Sequence, residues 1–101
     1  MAIEMMRIQE NRVFNTVANQ LQIPANELLM LCLCSFLERQ LNLIKIELFE
    51  IYGHYNISSV EEMDARYQEG TLEEADSWRD LQRLDHLEYK RDELTRLLES
   101  L

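Results

Sequence analysis

A chain of 101 residues with 47% hydrophobic residues is too apolar for a disordered acidic tail, and two glycines with one proline are too few for many short strands joined by tight turns. Nineteen acidic against ten basic residues leave a net charge of -9, which disfavours nucleic acid and anionic membrane as partners. The charge is uneven. Residues 1–57 hold six acids and four bases, while residues 58–101 hold thirteen and six.

The first residues alternate, with Ile3, Met5 and Arg7 on one strand face and Glu4, Met6 and Ile8 on the other. The pattern fits a short strand over residues 3–8 or a lead into a helix, and propensity does not choose between them. From Arg12 to Leu21, Val13, Val17 and Leu21 recur every four residues beside Phe14 and Ala18. That spacing predicts an amphipathic helix, ending where Gln22-Ile23-Pro24 breaks the register.

A second helix is predicted from Ala25 to about Tyr52, with Asn26 as its cap and Gly53 as its stop. Leu28 to Cys34 are consecutive apolar residues, and Phe36 and Leu37 follow. A helix apolar all round must be surrounded, and so short a chain has little to surround it with. A homodimer is therefore expected, its core made of Leu28, Leu29, Leu31, Cys32, Leu33, Phe36, Leu37, Leu41, Ile44 and Leu48. The apolar run from Leu28 to Leu37 is too short for a membrane span. No basic start followed by an apolar core marks a leader, so a cytoplasmic protein is expected.

Residues 58–101 read as an acidic, helical, hairpin-like segment following a dimerisation segment over residues 1–57. Ser58 with Glu61 and Ser59 with Glu62 are alternative capping boxes for a short helix bearing Val60, Met63 and Tyr67 and closed by Gly70. Thr71 with Glu74 and Ser77 with Asp80 offer two starts for the last helix. In that helix Leu84, Leu87, Arg91, Leu94, Leu98 and Leu101 alternate at spacings of three and four, the pattern of a packing seam. Asp92 and Arg96, four apart, are placed for a surface pair.

Nothing in the chain points to catalysis or to a cofactor. Its two histidines, His54 and His86, have no metal-ligand spacing, and no phosphate-binding glycine loop, nucleophile elbow or zinc-protease motif occurs. Cys32 and Cys34 project to nearly opposite helix faces and do not form a CxxC pair; buried thiols in a reducing compartment are expected. The protein is therefore expected to act by stoichiometric binding, with Tyr67, Trp78, Leu81, Leu84 and Leu87 as partner-binding residues. The carboxylates around them suit a basic protein partner.

The stretch VFNTVANQLQIPANELLMLCLCSFLERQL, Val13 to Leu41, resembles the helical part of ribbon-helix-helix proteins. The resemblance implies a ribbon over residues 3–8 pairing with its symmetry mate, and DNA readout by Glu4, Met6 and Ile8 or by Met5 and Arg7. Gln22 and Pro24 stand where that family carries glycine and a serine or threonine. The remainder, with Tyr55, Ile57, Ser58, Gly70, Trp78 and Asp80, resembles the tails of small antitoxin-like prokaryotic proteins, which wrap a toxin partner. The expected architecture is all-α or nearly so, long helices forming an intertwined homodimer, with residues 3–8 either a short strand or the lead into the first helix. An antitoxin-like interaction module, a ribbon-helix-helix repressor and a self-assembling structural protein stand as the functional readings.

Overall fold

The computed structural model describes the backbone of residues 2–101 and the side chains of residues 12–101 apart from 74 and 76. It contains four helices: α1 (Ala2–Leu21), α2 (Ala25–Tyr55), α3 (Val60–Glu69) and α4 (Glu74–Ser100). There is no strand among the described residues. Residues 3–8, expected as a ribbon, are instead part of α1. The reason is local: Ala2, Glu4, Met5, Met6, Arg7 and Gln9 are good helix formers, nothing before Gln22 interrupts them, and a lone strand has no backbone partner. A ribbon-helix-helix architecture requires that strand, so the resemblance does not hold. The side chains proposed to read DNA from the ribbon lie outside the described residues.

Three of the helix ends share one device. After α1, Gln22 takes a left-handed conformation (φ 57°), Ile23 N–H reaches back to Ala18 C=O at 3.0 Å, and Gln22 N–H reaches Asn19 C=O at 3.2 Å. After α2, Asn56 does the same (φ 54°), with Ile57 N–H on Tyr52 C=O at 3.0 Å. After α3, Gly70 (φ 75°) is followed by Thr71 N–H on Arg66 C=O at 3.0 Å. These bonds satisfy the otherwise orphaned carbonyls of the last turn. Gly53 is not the stop of α2; it lies inside the helix, which runs on to Tyr55. Asn26 likewise lies within the first turn, where the first backbone bond runs from Leu28 N–H to Pro24 C=O at 2.9 Å.

The chain divides into two compact units, Met1–Phe36 and Leu37–Leu101. The first holds α1 and the opening turns of α2, and among its described residues only Ala18 and Leu28 are buried. The second holds the rest of α2 together with α3 and α4 around Leu48, Ile57, Met63, Leu84 and Leu87. Met63 and Leu84 are fully enclosed. The turn at Asn56 drives Ile57 into this core, the hydrophobic contact that often accompanies such a helix end.

The start of α3 follows the predicted box with a shift of one residue. Ser59 caps the helix by accepting from Glu62 N–H, but the Glu62 carboxylate returns to Ser58, taking its N–H at 2.7 Å and its hydroxyl at 3.0 Å. Those two bonds hold the Glu62 carboxyl below the ordinary carboxylate range. Thr71 and Ser77 are not starts of α4. Thr71 Oγ1 donates to Arg66 C=O, and the helix begins at Glu74 after Glu73, without a side-chain cap. Ser77, buried inside α4, donates to Glu73 C=O at 2.7 Å and shares a 2.6 Å hydrogen bond with Tyr67 of α3.

Candidate functional site

Two kinds of surface compete for a functional role: an apolar one in the first unit and a polar one in the second. In the first unit, Val13, Val17 and Leu21 of α1 and Leu29, Met30, Leu31, Leu33 and Phe36 of α2 are all 38–64% exposed. The same segment, residues 12–36, has two charged residues, Arg12 and Glu27. The first helix thus carries the predicted stripe without burying it, and α2 is apolar around its circumference with Leu28 alone of these leucines covered. Cys32 is exposed and Cys34 half-buried, both as free thiols.

The remaining residues expected in a dimer core fall in the second unit. Leu41 and Leu48 are buried there, and Leu37 and Ile44 are half-buried. Leu43, Ile46 and Phe49 point to solvent, Phe49 at 78% exposure. They lie on the side of α2 away from Leu41, Ile44 and Leu48, which the sequence places in a core.

Of the residues expected to bind a partner, Leu84 and Leu87 form the core, Tyr67 and Leu81 are half-buried against it, and Trp78 is exposed. Below this layer runs a polar network that the sequence did not announce. The Glu88 carboxylate, 13% exposed, accepts from Tyr52 Oη at 3.0 Å and from Val60 N–H at 2.8 Å. It also lies 3.9 Å from Arg91, whose guanidinium reaches Tyr52 Oη at 3.5 Å. One acid from α4 therefore joins α2 to the first N–H of α3, where negative charge suits the helix dipole. Burial, and after it the Glu88 carboxylate, pushes the Tyr52 phenol above its ordinary value.

A second tyrosine repeats the arrangement. Tyr55 donates its hydroxyl to Asp80, and Arg66 clasps the end of α2 by donating to Tyr55 C=O and, at 2.8 Å, to Asn56 C=O. Glu47 and Arg83 add an exposed pair at 3.4 Å. Arg91, the polar interruption of the seam, bonds Asp92 at 3.1 Å, so Asp92 turns to its neighbour and the expected pair with Arg96 does not form. No buried side-chain polar atom among the described residues lacks a hydrogen bond. A network satisfied in this way fastens helices together.

His54 stacks edge-on against Tyr55 with ring centres 4.6 Å apart, and both histidines are exposed. Among the described residues no three His, Cys, Asp or Glu side chains converge as metal ligands. No single helix there is long and apolar enough to cross a membrane. No curated protein and no solved structure matches the chain. Residues 5–101, nearly its whole length, match the uncharacterized protein MJ0235 family, and the chain belongs to that family.

Proposed function

We propose that the protein is an interaction module that acts by stoichiometric association, and that it associates first with a second copy of itself through residues 12–36. The supporting observation is the imbalance of the first unit, in which eight large apolar side chains stand exposed over a described interior of Ala18 and Leu28. Partial exposure of eight such side chains amounts to on the order of 700 Å² of apolar surface spread along α1 and around α2, so an interface of standard size, roughly 800 Å² per partner, draws on part of it together with neighbouring side chains. A monomer rarely leaves so large an apolar area in water. A second copy is favoured as the occupant because the segment is almost uncharged, so two copies meet there without the repulsion that the chain's net -9 imposes elsewhere.

The test is the mass of the full chain in solution across a dilution series. Wild-type protein is expected at twice 12.1 kDa, and a Leu29→Asp, Leu33→Asp, Phe36→Asp triple variant at the single-chain mass with the folded signal of Trp78 retained. A wild-type monomer at high concentration with cooperative unfolding overturns the reading. A mass that keeps growing with concentration points to open-ended self-assembly through the same surface.

A further inference from the structure

Beyond the apolar unit, the second unit carries a groove of different chemistry. Ala75, Trp78, Leu81 and Gln82 of α4 line an open hollow of about 510 Å³. Leu81 and Gln82 also line an adjoining one of about 330 Å³, completed by Val60, Glu61 and Asp64 of α3 and by Asp85. Leu81 and Gln82, common to both, set the two hollows side by side. The floor is apolar, formed by the half-buried Val60 and Leu81, and three carboxylates stand along it.

Exposed aromatic residues bracket the run. Trp78 is 43% exposed and Tyr89 60%. The spacing 78, 82, 85, 89 keeps both on one face of α4, and eleven residues at about 1.5 Å each separate them by roughly 16 Å, three helical turns. Aromatic side chains of this kind are the usual anchors of an interface. Arg79 has its guanidinium 5.6 Å from the Trp78 ring centre and, with Ala75, Trp78 and Asp80, lines a hollow that adjoins the groove at its Trp78 end; Glu61, Asp64 and Asp85 do not line it.

We propose that this groove docks a helical segment of a foreign protein, one in which Lys or Arg residues flank apolar anchors about three turns apart. The charge of the groove selects that occupant. A second copy would bring its own residues 58–101, with thirteen acids against six bases, to an acidic rim, and residues 12–36 offer one cation balanced by one anion. Helix-in-groove recognition supplies the geometry, apolar anchors on the floor and cations toward Glu61, Asp64 and Asp85. The proposal rests on reading the chain as an interaction module but not on its self-association.

Trp78 is the only tryptophan of the chain, so its fluorescence reports on the groove directly. The experiment titrates full-length protein with a tryptophan-free amphipathic helical peptide of Leu and Lys, and separately with its Leu and Glu counterpart. The first is expected to change Trp78 emission saturably and to bind more weakly as salt rises; the second is expected to have no effect. Asp64→Lys with Asp85→Lys is expected to weaken binding about tenfold or more, while Glu69→Lys with Glu99→Lys, equal in charge but outside the groove, stays within about twofold. Circular dichroism checks that each variant folds. No saturable response, equal response to both peptides, or equal weakening by both double variants overturns the proposal. Native mass measured on the same samples separates the two readings: loss of the dimer with peptide binding intact sinks self-association alone, and the reverse sinks the groove alone.

Discussion

Glu88 is the residue on which the second unit's polar contacts converge, because a single carboxylate there satisfies a phenol from α2, the first N–H of α3 and part of Arg91. Glu88→Ala strands the Val60 N–H and the Tyr52 hydroxyl together, and is expected to cost about 2–3 kcal/mol in urea unfolding. Glu88→Gln keeps an acceptor and is expected to cost about half as much; equal losses would mean that the carboxylate charge, not its hydrogen bonds, carries the effect. Tyr55 makes a pH-dependent counterpart. Burial, then its hydrogen bond to Asp80 and that carboxylate's charge, raise its pKa from 10.0 to about 12. Between those values the unfolded chain has released a proton that the folded chain keeps, so rising pH favours unfolding. The contribution is whole below pH 10.0 and is lost as pH climbs through about 12. Tyr55→Phe is therefore expected to be less stable than wild type at neutral pH, with the gap in urea midpoint narrowing across that window. A constant gap would show that Tyr55 titrates normally. None of these pairings was legible from spacing, since Tyr52 and Glu88 lie 36 residues apart and Tyr55 and Asp80 lie 25 apart.

At the scale of the helices, the two glycines test the reading of helix ends in opposite directions. Gly70 sits at φ 75° with nothing within 4 Å of an added Cβ, so Gly70→Ala carries backbone strain alone, about 1–2 kcal/mol of lost stability. Gly53 is inside α2, again with nothing within 4 Å, so Gly53→Ala removes only the flexibility of the unfolded chain and is expected to stabilise by about 0.5–1 kcal/mol. Thermal melts of the two variants should move apart; a loss at Gly53 would place the end of α2 there, as its sequence suggests. The capping serines and Gly70 were legible because their side chains, or the lack of one, act on backbone a few residues away. Gln22 and Asn56 were not, because a left-handed residue other than glycine is imposed by the packing of its neighbour: Ile57 reaches the core only if Asn56 turns. Residues 3–8, where the sequence left strand and helix open, are helical for a related reason. Two-residue alternation is a weak signal when every residue also suits a helix that continues on its far side.

For the whole molecule, the two units predict unequal independence. A chain of residues 37–101, with its core of Leu48, Ile57, Met63, Leu84 and Leu87, is expected to unfold cooperatively by itself. Residues 1–36 alone, with so little of the described part buried, are expected to show little helical circular dichroism at low concentration, since helices of that length are marginal without packing. Stable helix in the short fragment as a monomer would remove the need for a partner. The sequence by itself determined the helical class, four of the helix boundaries to within a residue or so, the leucine spacing of α4 and the uneven charge, because each depends on composition or on contacts within a turn or two. Only the tertiary structure decided that Leu84 and Leu87 are enclosed while Trp78 is open, that Ile44 and Leu48 pack against α3 and α4 of their own chain, and that Glu88 ties three helices together. Apolar periodicity says that a face must be covered; which face, and by which distant segment, is settled only when the chain has folded back on itself.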